Sequence, residues 1–316
     1  MGITFKQIKK VTREIVALIL LFTCTLTIHF ASITPVQQGF FCNDFNLKYP
    51  YIENETVSAK LCFTIWILIA FSVIFTTQII IKSFSIKVVN DIVWGMLICI
   101  LVTDILKYSV GKLRPHFLTI CNPDFNDICF DENSYYIYED GEEVLDEFFE
   151  RYVNETDICS TQNLALINEA RLAFPSGHAS YSFYFATSLN LYMNKTLKDF
   201  NIIGSILPYI NLLLMLLASW ISCTRITDFY HDTVDIICGG FAGVLIAIFC
   251  YYNQKRSLLM NTMRVDRMMK INPEGIELQT QEDLLSKNID LNIYGFALQR
   301  IGNLTDHIFP SVLVQI

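Results

Sequence analysis

The chain of 316 residues is 53% hydrophobic and only 17% charged, with a mean hydropathy of +0.40. That balance excludes an ordinary soluble enzyme and points to an integral membrane protein. The net charge is −8, and nucleic acid is not an expected partner.

Six stretches, near 15–33, 61–81, 89–108, 176–193, 202–222 and 234–252, approach the roughly 20 apolar residues a helix needs to cross a bilayer. The first is longer than the about 7–15 apolar residues of a secretory signal and has no clear small-residue cleavage site, so it reads as a retained span. Lys6, Lys9, Lys10 and Arg13 precede it. Lys82 and Lys87 follow the second span, and Lys195 and Lys198 follow the fourth. Lys255, Arg256, Arg264, Arg267 and Lys270 open the tail. All four basic groups fall on one side of an even-numbered topology. The positive-inside bias therefore predicts an all-α bundle of six transmembrane helices with both termini cytoplasmic.

The connections near 34–60, 109–175 and 223–233 then face outward. Between Gly111 and Leu172 there are fourteen acidic residues against four basic ones, which accounts for the whole negative excess. A solvated, partly disordered loop is the expectation there. Cys42, Cys121, Cys129 and Cys159 lie in the outer connections, where disulfides are allowed. At most one pair forms within the long loop, and the third cysteine pairs with Cys42 or stays free. Cys24, Cys99, Cys238 and Cys250 lie in spans and read as small buried hydrophobes, and no cysteine–histidine pattern suggests a metal. Of the glycosylation sequons, Asn54 and Asn154 are outward and expected to carry glycans, whereas Asn194 and Asn303 are on the cytoplasmic side and expected to be silent.

Three polar clusters stand at the ends of apolar stretches, where a charge is costly unless it pairs or binds something. In the first, Lys107 and Arg114 are about two helical turns apart, on one face if the third span continues that far before Pro115 stops it. A mobile ammonium and a planar guanidinium suit the oxygens of a phosphate. The second, Pro175-Ser176-Gly177-His178, offers free backbone N–H groups at a helix start, a hydroxyl, a glycine permitting close approach and a proton donor. In the third, His231 and Asp235 are four apart at the head of the sixth span. The carboxylate would fix one imidazole nitrogen and leave the other free as nucleophile or base, with Arg225 holding phosphate oxygens. The plainer alternatives are snorkelling cations, an ordinary helix cap and a buried His–Asp pair. In a six-span topology, however, all three clusters emerge at the outer face.

Other titratable groups rank lower. His116 follows Pro115 and reads as a supporting or exposed residue, His29 as a hydrogen-bonded interface histidine, and His307 in the tail has no role. Asp91 and Asp104 in the third span are as well explained by pairing with a nearby cation as by function.

At these residues the chain resembles the lipid phosphate phosphatases of the type-2 phosphatidic acid phosphatase superfamily. The family pattern is K-x6-RP, PSGH and SR-x5-H-x3-D. Here the segments read Lys107-Tyr-Ser-Val-Gly-Lys-Leu-Arg114-Pro115, Phe174-Pro-Ser-Gly-His178 and Thr224-Arg225-Ile-Thr-Asp-Phe-Tyr-His231-Asp-Thr-Val-Asp235. Order and spacing match over roughly 15–252, and Thr224 departs from the family's usual Ser.

The resemblance implies a metal-independent phosphatidate phosphatase-type phosphoric monoester hydrolase that needs no cofactor. In it His231 becomes phosphohistidine, Asp235 orients His231, and His178 protonates the leaving alcohol and then activates water. Lys107, Arg114, Ser176, Gly177 and Arg225 would hold the phosphoryl oxygens. The implied substrates are lipid phosphates in the bilayer: phosphatidate, lysophosphatidate, sphingosine 1-phosphate or ceramide 1-phosphate. The implied address is the plasma membrane with the site outward, with ER or Golgi also compatible. The alternatives are a related membrane phosphotransferase and a non-catalytic lipid-phosphate-binding protein. Residues 1–252 are thus expected to form the membrane domain and 253–316 a largely disordered cytoplasmic tail. The oligomeric state is left open, a homo-oligomer included.

Overall fold

In the computed structural model, residues 5–30, 33–42, 44–125, 129, 137–139, 142–144, 152–154 and 158–271 are described. The long helices are α1 (Phe5–Phe30), α2 (Ala59–Ile80), α3 (Ile86–Val110), α6 (Gly177–Leu197), α7 (Asn201–Thr227) and α8 (Thr233–Ile271). Two short helices, α4 (Phe117–Cys121) and α5 (Leu164–Glu169), lie between α3 and α6. The chain divides into two units, residues 1–77 with 86–251 and residues 78–85 with 252–316. Everything described below belongs to the first unless stated.

Among the described residues four helices are long and apolar enough to cross a membrane: α2, α3, Ile202–Thr227 of α7 and Thr233–Asn253 of α8. α1 contributes an apolar stretch, Val16–Ile28. α6 is more polar for a physical reason: its neighbours use its polar groups. Ser182 Oγ accepts from Trp66 Nε1 of α2 at 2.9 Å, and Tyr184 donates to the Ile92 carbonyl of α3 at 2.8 Å. On the α8 side, a Cβ at Gly239 would stand 2.5 Å from Ser176 O and one at Gly243 2.1 Å from Ser180 O. Only a Gly-x-x-x-Gly face lets these two backbones approach so closely.

The connections before α2 and between α3 and α6 form a second, smaller core. β1 (Phe40–Phe41) pairs antiparallel with β4 (Tyr152–Val153), Phe40 opposite Val153. A separate hairpin joins β2 (Ile137–Glu139) to β3 (Glu142–Val144). Disulfides link Cys42 to Cys129 and Cys121 to Cys159. Around them Phe40, Leu113, Phe117, Leu118, Val153 and Ile167 are buried together. The expectation of a solvated loop is therefore corrected for residues 111–125 and 158–175, whose apolar side chains and cross-links anchor them. Most of the acidic residues between them lie outside the described residues.

In the second unit, α8 continues past the expected boundary at 252 as far as Ile271. Residues 253–271 hold neither Gly nor Pro and are rich in Leu, Met, Lys and Arg, which favour helix. Asn272 precedes Pro273, a pairing that disfavours further helix. Residues 272–316, with Asn303 and His307, lie outside the described residues.

Candidate active site

Three local turns bring the motif residues together. The first is the end of α3. The helix stops at Val110, so Arg114 lies beyond it and does not share a helix face with Lys107, a correction of the expectation. Gly111 stops it: its φ is +64°, its N–H bonds Lys107 O at 3.0 Å, and a Cβ there would stand 1.7 Å from Val36 O. The chain then runs beside residues 170–173, Arg114 N bonding Ala170 O at 2.8 Å and Ala173 N bonding Lys112 O at 3.0 Å.

The second turn starts α6. Ser176 is its N-cap residue, fully buried, with its N–H on Asp235 O at 3.0 Å and its hydroxyl without a partner among the described residues. Gly177 and His178 follow as the first helical residues and face a cavity of about 350 Å³.

The third turn joins α7 to α8. Tyr230 N bonds Arg225 O and Phe229 N bonds Ile226 O, both at 3.0 Å, while Phe229 takes φ +59°. This is a Schellman stop, and it folds Tyr230 and His231 back over Arg225. α8 then opens with a reciprocal cap: Asp232 Oδ1 accepts from Asp235 N at 2.9 Å, and Asp235 Oδ2 from Asp232 N at 3.1 Å. His231 thus precedes the helix rather than stacking on it. Its Nδ1 lies 3.6 Å from Asp235 Oδ2, too long for a hydrogen bond. Asp235 Oδ1 accepts instead from Lys112 Nζ at 2.7 Å.

The cavity collects Lys107, Arg114, Gly177, His178, Arg225 and His231. Ser176 and Asp235 stand behind its wall, both fully buried. Five buried polar atoms of this group have no hydrogen-bond partner among the described residues: Arg114 Nε, Ser176 Oγ, His178 Nε2, Arg225 Nε and His231 Nδ1. Buried polar atoms are normally paired, so this concentration marks a place built for a polar ligand. Burial, together with the cations of Arg114, Lys107 and Arg225, holds His231 well below the usual imidazole range. That environment favours the neutral imidazole.

Sequence reasoning missed several supporting residues. The Tyr230 ring lies between the two arginines, 4.4 Å from Arg225 Cζ and 5.0 Å from Arg114 Cζ, while its hydroxyl donates to Ile52 O at 3.0 Å. Burial and a hydrogen bond to Tyr51 push that hydroxyl's pKa up. Lys112 also pairs with Asp232. Burial opposes its charge, but the bonds to Asp232 and Asp235 prevail and raise its pKa. Glu55 and Glu169 line the cavity beside the arginines, as does Asp104. Proximity to His231 was the one available signal for Tyr230; nothing local pointed to Glu55.

The remaining expectations resolve individually. His116 is buried rather than exposed, its Nδ1 2.9 Å from Phe229 O and its ring edge-on to Tyr230. Burial and the Arg114 charge lower its pKa to about 4. The Thr224 hydroxyl donates to Ile221 O at 2.7 Å within its own helix and does not line the cavity. Asn54 and Asn154 are exposed, and Asn194 lies in α6. The side chain of His29 lies outside the described residues.

Comparison with known proteins bears on this arrangement. Residues 88–258 match the family model of the PAP2 superfamily. The chain is 29% identical over 230 residues to phospholipid phosphatase 1 of Rattus norvegicus, an alignment covering 68% of this chain and 74% of the relative. It is 30% identical to phospholipid phosphatase 1 of Mus musculus over the same shares. A putative phosphatidate phosphatase of Drosophila melanogaster is 27% identical over 245 residues, covering 68% of this chain and 60% of the relative. No solved structure matches.

Proposed function

Because this chain belongs to the PAP2 superfamily and is an integral membrane lipid phosphatase, we propose that it hydrolyses lipid phosphate monoesters through a phosphohistidine on His231. The candidate substrates are phosphatidate, lysophosphatidate, sphingosine 1-phosphate and ceramide 1-phosphate. The observation that carries this reading is the set of five unpartnered buried polar atoms around one cavity.

In the first step a ring nitrogen of neutral His231 attacks phosphorus. The bond from phosphorus to the lipid oxygen breaks as His178 gives that oxygen a proton. In the second step His178 takes a proton from water, the resulting hydroxide attacks phosphorus, and the phosphorus–nitrogen bond breaks. Inorganic phosphate leaves and both histidines return to their starting states. With Nδ1 turned toward Asp235, Nε2 is the nitrogen left for attack. Lys107, Arg114 and Arg225 neutralise the charge that grows on the phosphoryl oxygens, and the Ser176 hydroxyl and Gly177 N–H complete their binding.

A six-span topology with both termini cytoplasmic is supported by the positions of the basic residues. It sets the site at the outer head-group level, which suits a phosphate whose lipid chains stay in the leaflet. The same orientation supports glycans on Asn54 and Asn154 and a plasma-membrane address.

The test is phosphate release from phosphatidate in detergent micelles with excess EDTA. Wild type is expected to be active and His231→Ala inactive, with acid-labile phosphate trapped on the wild-type chain. Folded wild-type protein that releases no phosphate from any of the four lipids would overturn the proposal.

A further inference from the structure

One buried carboxylate of the cavity has no part in phosphoryl transfer. Glu55 and Glu169 sit beside the arginines: Glu55 Oε2 lies 2.9 Å from Arg225 Nη2, and Glu169 Oε1 lies 3.1 Å from Arg114 Nη1. Asp104 stands apart from them. It lies within α3, three residues before Lys107, is only 4% exposed and still lines the cavity. An ionisable side chain inside an apolar span is costly and is kept where it meets a partner or a ligand.

The cavity runs one turn into the apolar parts of three helices. Its lining passes from Ala59 to Phe63 on α2, from Lys107 back to Asp104 on α3, and from Gly177 to Tyr181 on α6. The Tyr181 ring lies 5.0 Å from that of Phe63, and a Cβ on Gly177 would stand 3.5 Å from the Tyr181 hydroxyl oxygen. Among the described residues, Asp104 is the one charged group of this inner turn. Three residues of helix advance about 4.5 Å, so the carboxylate stands one short step beyond the cations that would hold a phosphate.

We propose that Asp104 reads the substituent on the second backbone carbon of the lipid, four bonds from phosphorus. It makes the site prefer lipid phosphates with a hydrogen-bond donor there, a free hydroxyl or an ammonium, over those whose second carbon carries an ester. The inference rests on the lipid phosphatase reading of the cavity. With phosphorus among Lys107, Arg114 and Arg225, the lipid chains run along the helices and carry that carbon past Asp104. A carboxylate only accepts hydrogen bonds, which a hydroxyl or ammonium supplies and an ester or ether oxygen cannot. Such an oxygen takes water from a buried carboxylate and returns no donor. Asp104 also feels the charge of Lys107, but a carboxylate has room for several donors, so the two contacts do not compete. Lysophosphatidate and sphingosine 1-phosphate are therefore favoured over phosphatidate.

Two lipids that differ at this one group test the proposal: oleoyl lysophosphatidate with its second-carbon hydroxyl free, and the same lipid with that hydroxyl methylated. Mixed at equal mole fraction in detergent micelles with the full-length protein, they compete, and the initial rates of the two alcohol products give the ratio of kcat/KM. Wild type is expected to favour the free hydroxyl about tenfold or more. In Asp104→Asn, whose amide both donates and accepts, the ratio is expected to fall to within about threefold of unity. An Asp104 that merely balances Lys107 would, when replaced, slow both lipids alike and leave the ratio unchanged. That outcome overturns the proposal, as does a wild-type ratio near unity, and turnover of both lipids leaves the phosphatase reading intact. Folded wild type that hydrolyses neither lipid also overturns the proposal; if it is inactive on the other candidate substrates too, the phosphatase reading falls with it. If Asp104→Asn does not fold, Asp104→Ser removes the same charge, and an unchanged ratio there is equally fatal.

Discussion

Lys112 donates to Asp235 Oδ1 at 2.7 Å, closer than the approach of His231 to the same carboxylate. The carboxylate facing the histidine is thus aimed by a lysine two residues past the end of α3. Lys112→Met is expected to lower kcat about ten- to a hundredfold, as loss of a supporting partner commonly does, with KM little changed. Lys112→Arg keeps the charge and is expected to retain most of the rate. Steady-state kinetics on mixed micelles decide the matter, since a general folding defect would not spare the arginine variant.

Tyr230 presents a different split. Its ring faces both arginines, each contact worth about 0.5–2 kcal/mol, whereas its hydroxyl only ties down Ile52. Tyr230→Phe keeps the ring and is expected to stay within about threefold of wild-type kcat/KM. Tyr230→Ala frees both guanidiniums and is expected to raise KM about tenfold or more. Comparable losses in the two variants would assign the effect to the hydroxyl instead.

Acid sensitivity follows from His116. Its folded pKa of about 4 lies below the unfolded value of about 6.5, so folding favours the neutral ring. Its contribution is complete above about pH 6.5 and is lost as pH falls toward about 4, up to roughly 3 kcal/mol. His116→Asn keeps a donor for Phe229 O but cannot titrate. Unfolding temperatures measured from pH 7.5 to 4.5 should therefore fall more steeply for wild type than for the variant. Parallel curves would remove His116 as the cause.

The Cys121–Cys159 bond ties the end of α4 to the segment that leads into α5, and residues 170–173 beyond α5 run beside Lys112–Arg114. Replacing both cysteines by serine is expected to cost about 2–5 kcal/mol, read as a lower unfolding temperature. Activity should fall as well, because Arg114 N hangs on Ala170 O within the same small core. Retained activity with lowered stability would show that the motif holds its geometry without this brace.

The motifs were legible because each is a short local device. Arg225-(x5)-His231 is the length of a Schellman stop that returns the chain over its own last turn, and Asp232 with Asp235 is a helix cap three residues apart. Helical periodicity misled where a glycine intervened: Gly111 ends α3 before Arg114, and the two cations meet from different elements. Glu55 was invisible because its partner lies at the other end of the domain, and no local pattern encodes such a pairing. The smaller core was hidden by charge counting, since acidic residues mask the buried Leu113, Phe117 and Ile167 around them.

The hydrogen bond between Thr56 and Asp228 has a consequence for how the protein is made. Asn54-Glu55-Thr56 is a glycosylation sequon, and its threonine hydroxyl is what the acceptor sequence must present. In the finished molecule that hydroxyl is held by a residue 172 positions later in the chain. Any sugar transfer to Asn54 would therefore have to precede the docking of Asp228 on Thr56.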